Sequence, residues 1–367
     1  MLLRHPRGMT PEEALGAERF DALRHVRDWV VAQRALIDSA ETTVVTLSPL
    51  TGGKARALQQ GVQLRGGEWR YVTSTDGAMF AIDEPSPLAR RDPAGAVFYP
   101  ELHSRLVAWW LVHAWRVTDL LDATSRDLQE WRISTAAISA RALLEETGCF
   151  LYELRALDAA WSKVKSATSG MLPFERAIDV RAELAPVLFK AVFGSRMAGV
   201  SERRQATSVL TYIQKLAKAV DKPEVSSWYD WLSDAAHPAA GARIALSSQP
   251  VVHESGAVAL QFLARRPVSP RRADELVGGT DFRIAHVSAD AARLCGSLVS
   301  EVLEHGLWLV DDFGLTTSAA TLTLRRYWRD LVPVKGSRQC PCGRGTAADC
   351  GHRWGGDVRA LNLSLGL

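Results

Sequence analysis

Three cysteines and a histidine fall within thirteen positions near the end of the chain, as Cys340-Pro-Cys342-Gly-Arg-Gly-Thr-Ala-Ala-Asp-Cys350-Gly-His352. Three thiolates and one neutral imidazole make a closed tetrahedral zinc shell. With four protein donors no position is left for water, so a Zn2+ ion held by Cys340, Cys342, Cys350 and His352 is structural, and its binding energy orders the segment around it. The single residue between Cys340 and Cys342 forces a tight loop, in which Gly343 and Gly345 let backbone amides turn toward the sulfurs. Cys149 and Cys295 stand alone in apolar helical patterns. Clustered thiols beside a histidine point to metal ligation rather than to disulfides in a reducing compartment.

Two charged pairs inside helical patterns come next. Arg141 and Glu145 are four apart in ISARALLEETGCFLYEL, hence on one face of an otherwise apolar helix, where charges need partners. Either they face an internal site or they form an ion pair that fixes how two helices pack, and the packing role is the simpler reading. In YDWLSDAAHPAAGAR, Asp234 and His237 are three apart at a helix end before Pro238, so Asp234 can orient the imidazole and raise its basicity. A histidine at that position is equally suited to capping the helix.

Charge is uneven along the chain. The total over 367 residues is only +3, too close to neutral to mark a nucleic-acid binder. From Arg325 to Arg359, however, eight basic residues (Arg325, Arg326, Arg329, Lys335, Arg338, Arg344, Arg353, Arg359) face three acids (Asp330, Asp349, Asp357). This +5 segment carries Tyr327, Trp328 and Trp354, and basic residues interleaved with aromatics suit contact with RNA or phosphate. A solvated basic tail whose tryptophans pack on the body is the bland counterpart, and a protein partner is the other possible target.

A composition of 47% hydrophobic and 23% charged residues excludes disorder as the main state and allows two or three domains. The beginning of the chain has no apolar run of signal-peptide length, and the most apolar stretch, Leu106 to Val112, is followed by His113, Arg116 and Asp119. A cytoplasmic protein without a membrane segment is expected. No phosphate-binding GxxxxGK[ST] loop, G-x-S-x-G elbow, H-E-x-x-H pair, G-x-G-x-x-G turn or EF-hand loop occurs. Leu50 to Lys54, LTGGK, reads as an ordinary loop that could bind an anion through its amides.

The elements that position these residues follow from periodicity. Pro11 to about Ser39 reads as one helix with Thr10 as N-cap. Gly61 to Asp83 alternates in β fashion around Gly66-Gly67 and Asp76-Gly77, a strand-and-hairpin unit. Leu102, Leu106, Trp109, Trp110, His113, Val117 and Leu120 form one buried helical stripe, and a second long helix is expected from about Ser125 to Ser166. Shorter helices fall near residues 174–194, 202–220 and 224–236. GARIALSS and AVALQFLAR read as a small hairpin, and Ser288 is placed as the cap of a last long helix that Gly314 stops. The tryptophans are expected mostly in the core. The fold class is thus mainly α, a helical bundle with a small α+β N-terminal unit (1–98), a helical body (99–315) carrying the β-hairpin, and a basic tail with a zinc knuckle (316–367).

Two resemblances add to this reading. CPCGRG followed by Cys350 and His352 resembles the SEC-C motif, a zinc-binding tail appended to many bacterial proteins; here Cys350 comes one position early, with Gly351 between it and His352. The resemblance implies a structural zinc ion and an interaction tail over about 15 residues. Arg141 and Glu145 on one helix, then Tyr229, Ser233, His237 and Pro238 after a long spacer, resemble helical bacterial proteins related to the HEPN superfamily, over about residues 100–312. Many HEPN proteins are RNases of toxin and phage-defence systems. The resemblance implies a role in RNA-linked stress or phage defence and, for an RNase, metal-independent cleavage with His237 as general base or acid and Arg141 stabilising charge on the phosphate. The active HEPN signature places an arginine ahead of the histidine on one helix, whereas Tyr229 to Ala236 contain none. The competing expectation is a non-catalytic binding or adaptor protein whose zinc tail docks on a protein or on ribosomal RNA.

Overall fold

The computed structural model describes residues 9–39, 69–73, 79–83, 99–168, 177–238, 240–245, 248–252, 255–262 and 280–331. The protein is mainly helical. In chain order it runs α1 (Pro11–Leu15), α2 (Ala17–Ser39), β1 (Trp69–Thr73), β2 (Met79–Asp83), α3 (Tyr99–Gln129), α4 (Ile133–Val164), α5 (Ala177–Phe193), α6 (Val209–Ala219), α7 (Glu224–Ala236), β3 (Ser248–Val252), β4 (Val258–Phe262) and α8 (Thr280–Leu331). Both strand pairs are antiparallel, Trp69 opposite Asp83 and Ser248 opposite Phe262. Among the described residues no helix is long and apolar enough to cross a membrane.

Several boundaries differ from expectation for local reasons. Thr10 does cap the first helix, its side chain accepting from the Glu13 amide while Glu13 reaches back, but Gly16 at φ +79° breaks that helix from α2 after one turn. The second long helix begins at Ile133 rather than near Ser125. The chain turns at Trp131, a non-glycine residue at φ +55° whose ring is buried edge-on against Phe282, and this packing holds the left-handed conformation. GARIA (Gly241–Ala245), expected as strand, is a π-helical turn, and the strand starts at Ser248. Gly241 lies so close to the Asp234 backbone that a Cβ there would come within 2.6 Å of it. Ser288 does not cap α8 but sits inside it, its hydroxyl donating to the Ile284 carbonyl. Gly314 does not stop that helix either, because its bare face receives the His103 ring, and a Cβ would lie 2.7 Å from His103 Nε2.

The chain divides into two compact units, each assembled from separate segments. The first comprises Met1–Glu41, Leu111–Leu154 and Thr207–His305. Its core is built from Leu23, Val30, Leu121, Ala140, Leu144, Leu216, Leu232 and Val299, all buried. Polar pins hold α2 in place: Arg19 makes a two-point contact with Asp290 of α8 at 2.9 and 3.0 Å, and Arg34 reaches Asp119 and Asp122 of α3 at 2.6 and 3.1 Å. The second unit comprises Thr42–Trp110, Arg155–Ala206 and Gly306–Leu367. Here Trp161 and Phe313 meet edge to face at 4.8 Å, with Leu102, Leu106, Leu157, Leu184 and Leu188 buried in the same unit. Trp109, Trp131 and Trp161 are core residues as expected, whereas Trp115 and Trp308 are half exposed.

Candidate functional site

Helix α4 is apolar over most of its length, yet it carries Arg141, Glu145, Glu146, Cys149 and Glu153. On a helix these fall into two adjacent rows, 141-145-149 and 146-149-153, at spacings of three and four. Each row meets a different partner.

The first row meets α7. Arg141 Nε donates to Ser233 Oγ at 3.0 Å and Nη2 to the Tyr229 hydroxyl at 3.1 Å, while the same Nη2 lies 3.0 Å from Glu145 Oε1. The circuit closes where the Tyr229 hydroxyl donates to Glu145 Oε1 at 2.9 Å. Tyr229 is buried, and its ring lies 5.4 Å below the guanidinium. Arg141, Glu145, Tyr229 and Ser233, singled out from the sequence, thus form one closed quartet. The arginine is neutralised by Glu145 and anchored along its planar fork, an arrangement suited to locking two helices together.

His237 stands outside that circuit. It is the C-terminal cap residue of α7, its backbone N–H donates to the Ser233 carbonyl at 3.0 Å, and its side chain is exposed. No hydrogen bond joins it to Asp234. The capping role is the one this geometry fits. Cys340, Cys342, Cys350 and His352 lie outside the described residues, and of the basic segment only Arg325 to Leu331 are placed, in the last turns of α8.

The second row of α4 meets α3 and α6, in a cluster that the sequence reading passed over. His113, fifth in the buried stripe of α3, has Nδ1 at 2.6 Å from Glu146 Oε1 and Nε2 at 3.1 Å from Glu153 Oε2. Its ring stacks on Phe150 at 4.5 Å, and Arg116 Nε braces the other Glu146 oxygen at 2.7 Å. Carboxylates only accept, so both ring nitrogens carry protons here. Burial alone would lower the imidazole pKa, but the two glutamates outweigh it and raise it to about 9. The Cys149 thiol donates to Glu153 Oε1 at 3.4 Å. Burial and the nearby Glu153 charge push that thiol well above its ordinary range, and burial likewise pushes up the neighbouring Tyr212 phenol. His113, Cys149 and Glu153 therefore present a nitrogen, a sulfur and a carboxylate oxygen to one point. The signal available in the sequence was a lone histidine in one apolar stripe and an i, i+3, i+7 polar row in another.

Comparison with protein-family models, curated proteins and solved structures finds no match to this chain. The functional reading rests on its own residues.

Proposed function

We propose that this chain is a cytoplasmic, non-catalytic RNA-binding protein, in which a HEPN-like helical body serves as scaffold and the basic tail, ordered by structural zinc on Cys340, Cys342, Cys350 and His352, docks on RNA in stress or phage defence. The observation that carries the choice against an RNase is the commitment of Arg141. Its Nε and Nη2 are held by Ser233, Tyr229 and Glu145, and His237 is exposed outside that circuit. A phosphate-stabilising arginine must offer its fork to substrate, and Glu145 neutralises this one. For the tail, the donor set fits zinc, and the local balance of eight basic residues to three acids supplies the attraction to phosphate.

The test is binding and cleavage of ribosomal RNA by purified protein in one experiment. Binding without cleavage in EDTA-free buffer, lost on Cys342→Ser together with one equivalent of zinc, is the expected result. Cleavage that persists in EDTA and disappears in both His237→Ala and Arg141→Ala would establish the nuclease reading instead. Zinc without RNA affinity would redirect the tail to a protein partner.

A further inference from the structure

The polar cluster of α3, α4 and α6 holds donors that the proposed RNA-binding role does not use. His113, Cys149 and Glu153 each offer one ligand atom, all within 4.8 Å of one another. We propose that these three residues form a second metal site, for a divalent transition ion of the zinc class, with three protein donors and a fourth position for water or an external ligand.

The distances suit such an ion. At metal–donor bonds of about 2.0–2.3 Å, tetrahedral donors lie about 3.3–3.8 Å apart. His113 Nε2 is 3.1 Å from Glu153 Oε2, and Cys149 Sγ is 3.4 Å from Glu153 Oε1, so small side-chain rotations open the space. The histidine is already held as a metal-bound imidazole requires. Its Nδ1 sits 2.6 Å from Glu146 Oε1, which keeps the proton on Nδ1 and aims Nε2 at the centre, while Phe150 clamps the ring and Arg116 steadies Glu146. The donors are softer than an oxygen cage: nitrogen, sulfur and one carboxylate select zinc, cobalt or iron over magnesium or calcium.

The ligating forms are a thiolate and a neutral Nε2, so an entering dication displaces the two protons that Cys149 Sγ and His113 Nε2 share with Glu153 in their hydrogen bonds, and these leave to solvent.

The tail cysteines are removed from the measurement by using the full chain with Cys340→Ser, Cys342→Ser and Cys350→Ser. Titration of that protein with cobalt(II) is expected to give one equivalent bound, with visible bands of a four-coordinate ion, a sulfur-to-cobalt charge-transfer band from a single thiolate, and about two protons released per ion. Zinc should displace the cobalt and erase the bands. Cys149→Ser, nearly isosteric, should remove the charge-transfer band, and Glu146→Gln should weaken binding about 10- to 100-fold by releasing His113. Should Cys149→Ser lose its helical circular dichroism, Glu153→Gln reads the same site. Absence of cobalt bands in the tail-substituted chain overturns the proposal, as does a charge-transfer band that survives both Cys149→Ser and Glu153→Gln.

Discussion

Gly148 of α4 lies directly against the backbone of Tyr212 in α6, so closely that a Cβ at Gly148 would stand 2.9 Å from the Tyr212 carbonyl oxygen and 3.3 Å from its Cβ. A glycine inside a helix costs about 1 kcal/mol relative to alanine, so Gly148→Ala would stabilise an isolated α4. In the folded protein the obstacle is backbone, which cannot rotate away. The overlap, of order 1–3 kcal/mol for an overpacked contact, exceeds the gain in propensity. Gly148→Ala is expected to lower stability by about 1–2 kcal/mol, read as a reduced urea midpoint at unchanged slope. An unchanged or raised midpoint would mean that α6 moves aside freely.

The quartet of Arg141, Glu145, Tyr229 and Ser233 predicts a different pattern. Removing one member leaves a partly buried charge without its partner, so Arg141→Ala and Glu145→Ala should each cost about 1–3 kcal/mol. The double variant should cost less than the two singles together, by about 0.5–2 kcal/mol of coupling. Arg141→Lys should rescue little, because one ammonium cannot reach Ser233, Tyr229 and Glu145 along separate directions. RNA affinity should not change in any of these variants that remain folded. Additive losses in the double-mutant cycle, or a drop in RNA affinity with stability intact, would count against a packing role.

What could be read from the sequence is what depends on neighbours along the chain. Thr10 as N-cap, Pro11 at the first helical position and the span of α7 from Glu224 to Ala236, just before Pro238, are local chemistry, and they stand where the spacing puts them. The charged pair Arg141–Glu145 was visible as an i, i+4 spacing, but its closure through Tyr229 and Ser233 depends on a contact spanning 88 to 92 residues. His113 was legible only as a polar member of an apolar stripe, since its partners Glu146 and Glu153 are 33 and 40 residues away on another helix. Gly314 reads as a stop signal because a bare helix position usually has no reason to exist. Here the reason is the His103 ring, and no local pattern encodes it.

Acid should act on the second unit through Asp312. Burial favours its protonated form, but hydrogen bonds from Lys165 at 2.7 Å and from Trp161 Nε1 at 2.7 Å outweigh that and hold the carboxyl below its ordinary range. A carboxyl whose folded pKa lies below its unfolded value contributes stability that is complete above the unfolded value of about 3.9 and is lost as pH falls through the lower folded value. Asp312→Asn is therefore expected to cost about 1–2 kcal/mol near pH 7 and progressively less below about pH 4. Urea midpoints of the two proteins measured across pH 3 to 7 should converge on the acid side; parallel curves would show that the ionised form has no special role.

Salt should separate a tail that binds RNA from one that merely carries charge. If most of the eight basic residues between Arg325 and Arg359 meet phosphates, log affinity for single-stranded RNA should fall against log salt with a slope of about −4 to −6, at roughly −0.7 per contact. Each lost contact has the same signature whatever the RNA sequence. Lys335→Ala or Arg338→Ala should then shallow the slope by about 0.7 and weaken binding uniformly across unrelated RNAs. Trp354→Ala should instead lower affinity by about 1–3 kcal/mol with the slope intact, because stacking on a base releases no counterions. A flat salt dependence, or equal slopes in the wild type and Lys335→Ala, would sever the tail's charge from RNA recognition and leave a protein surface as its target.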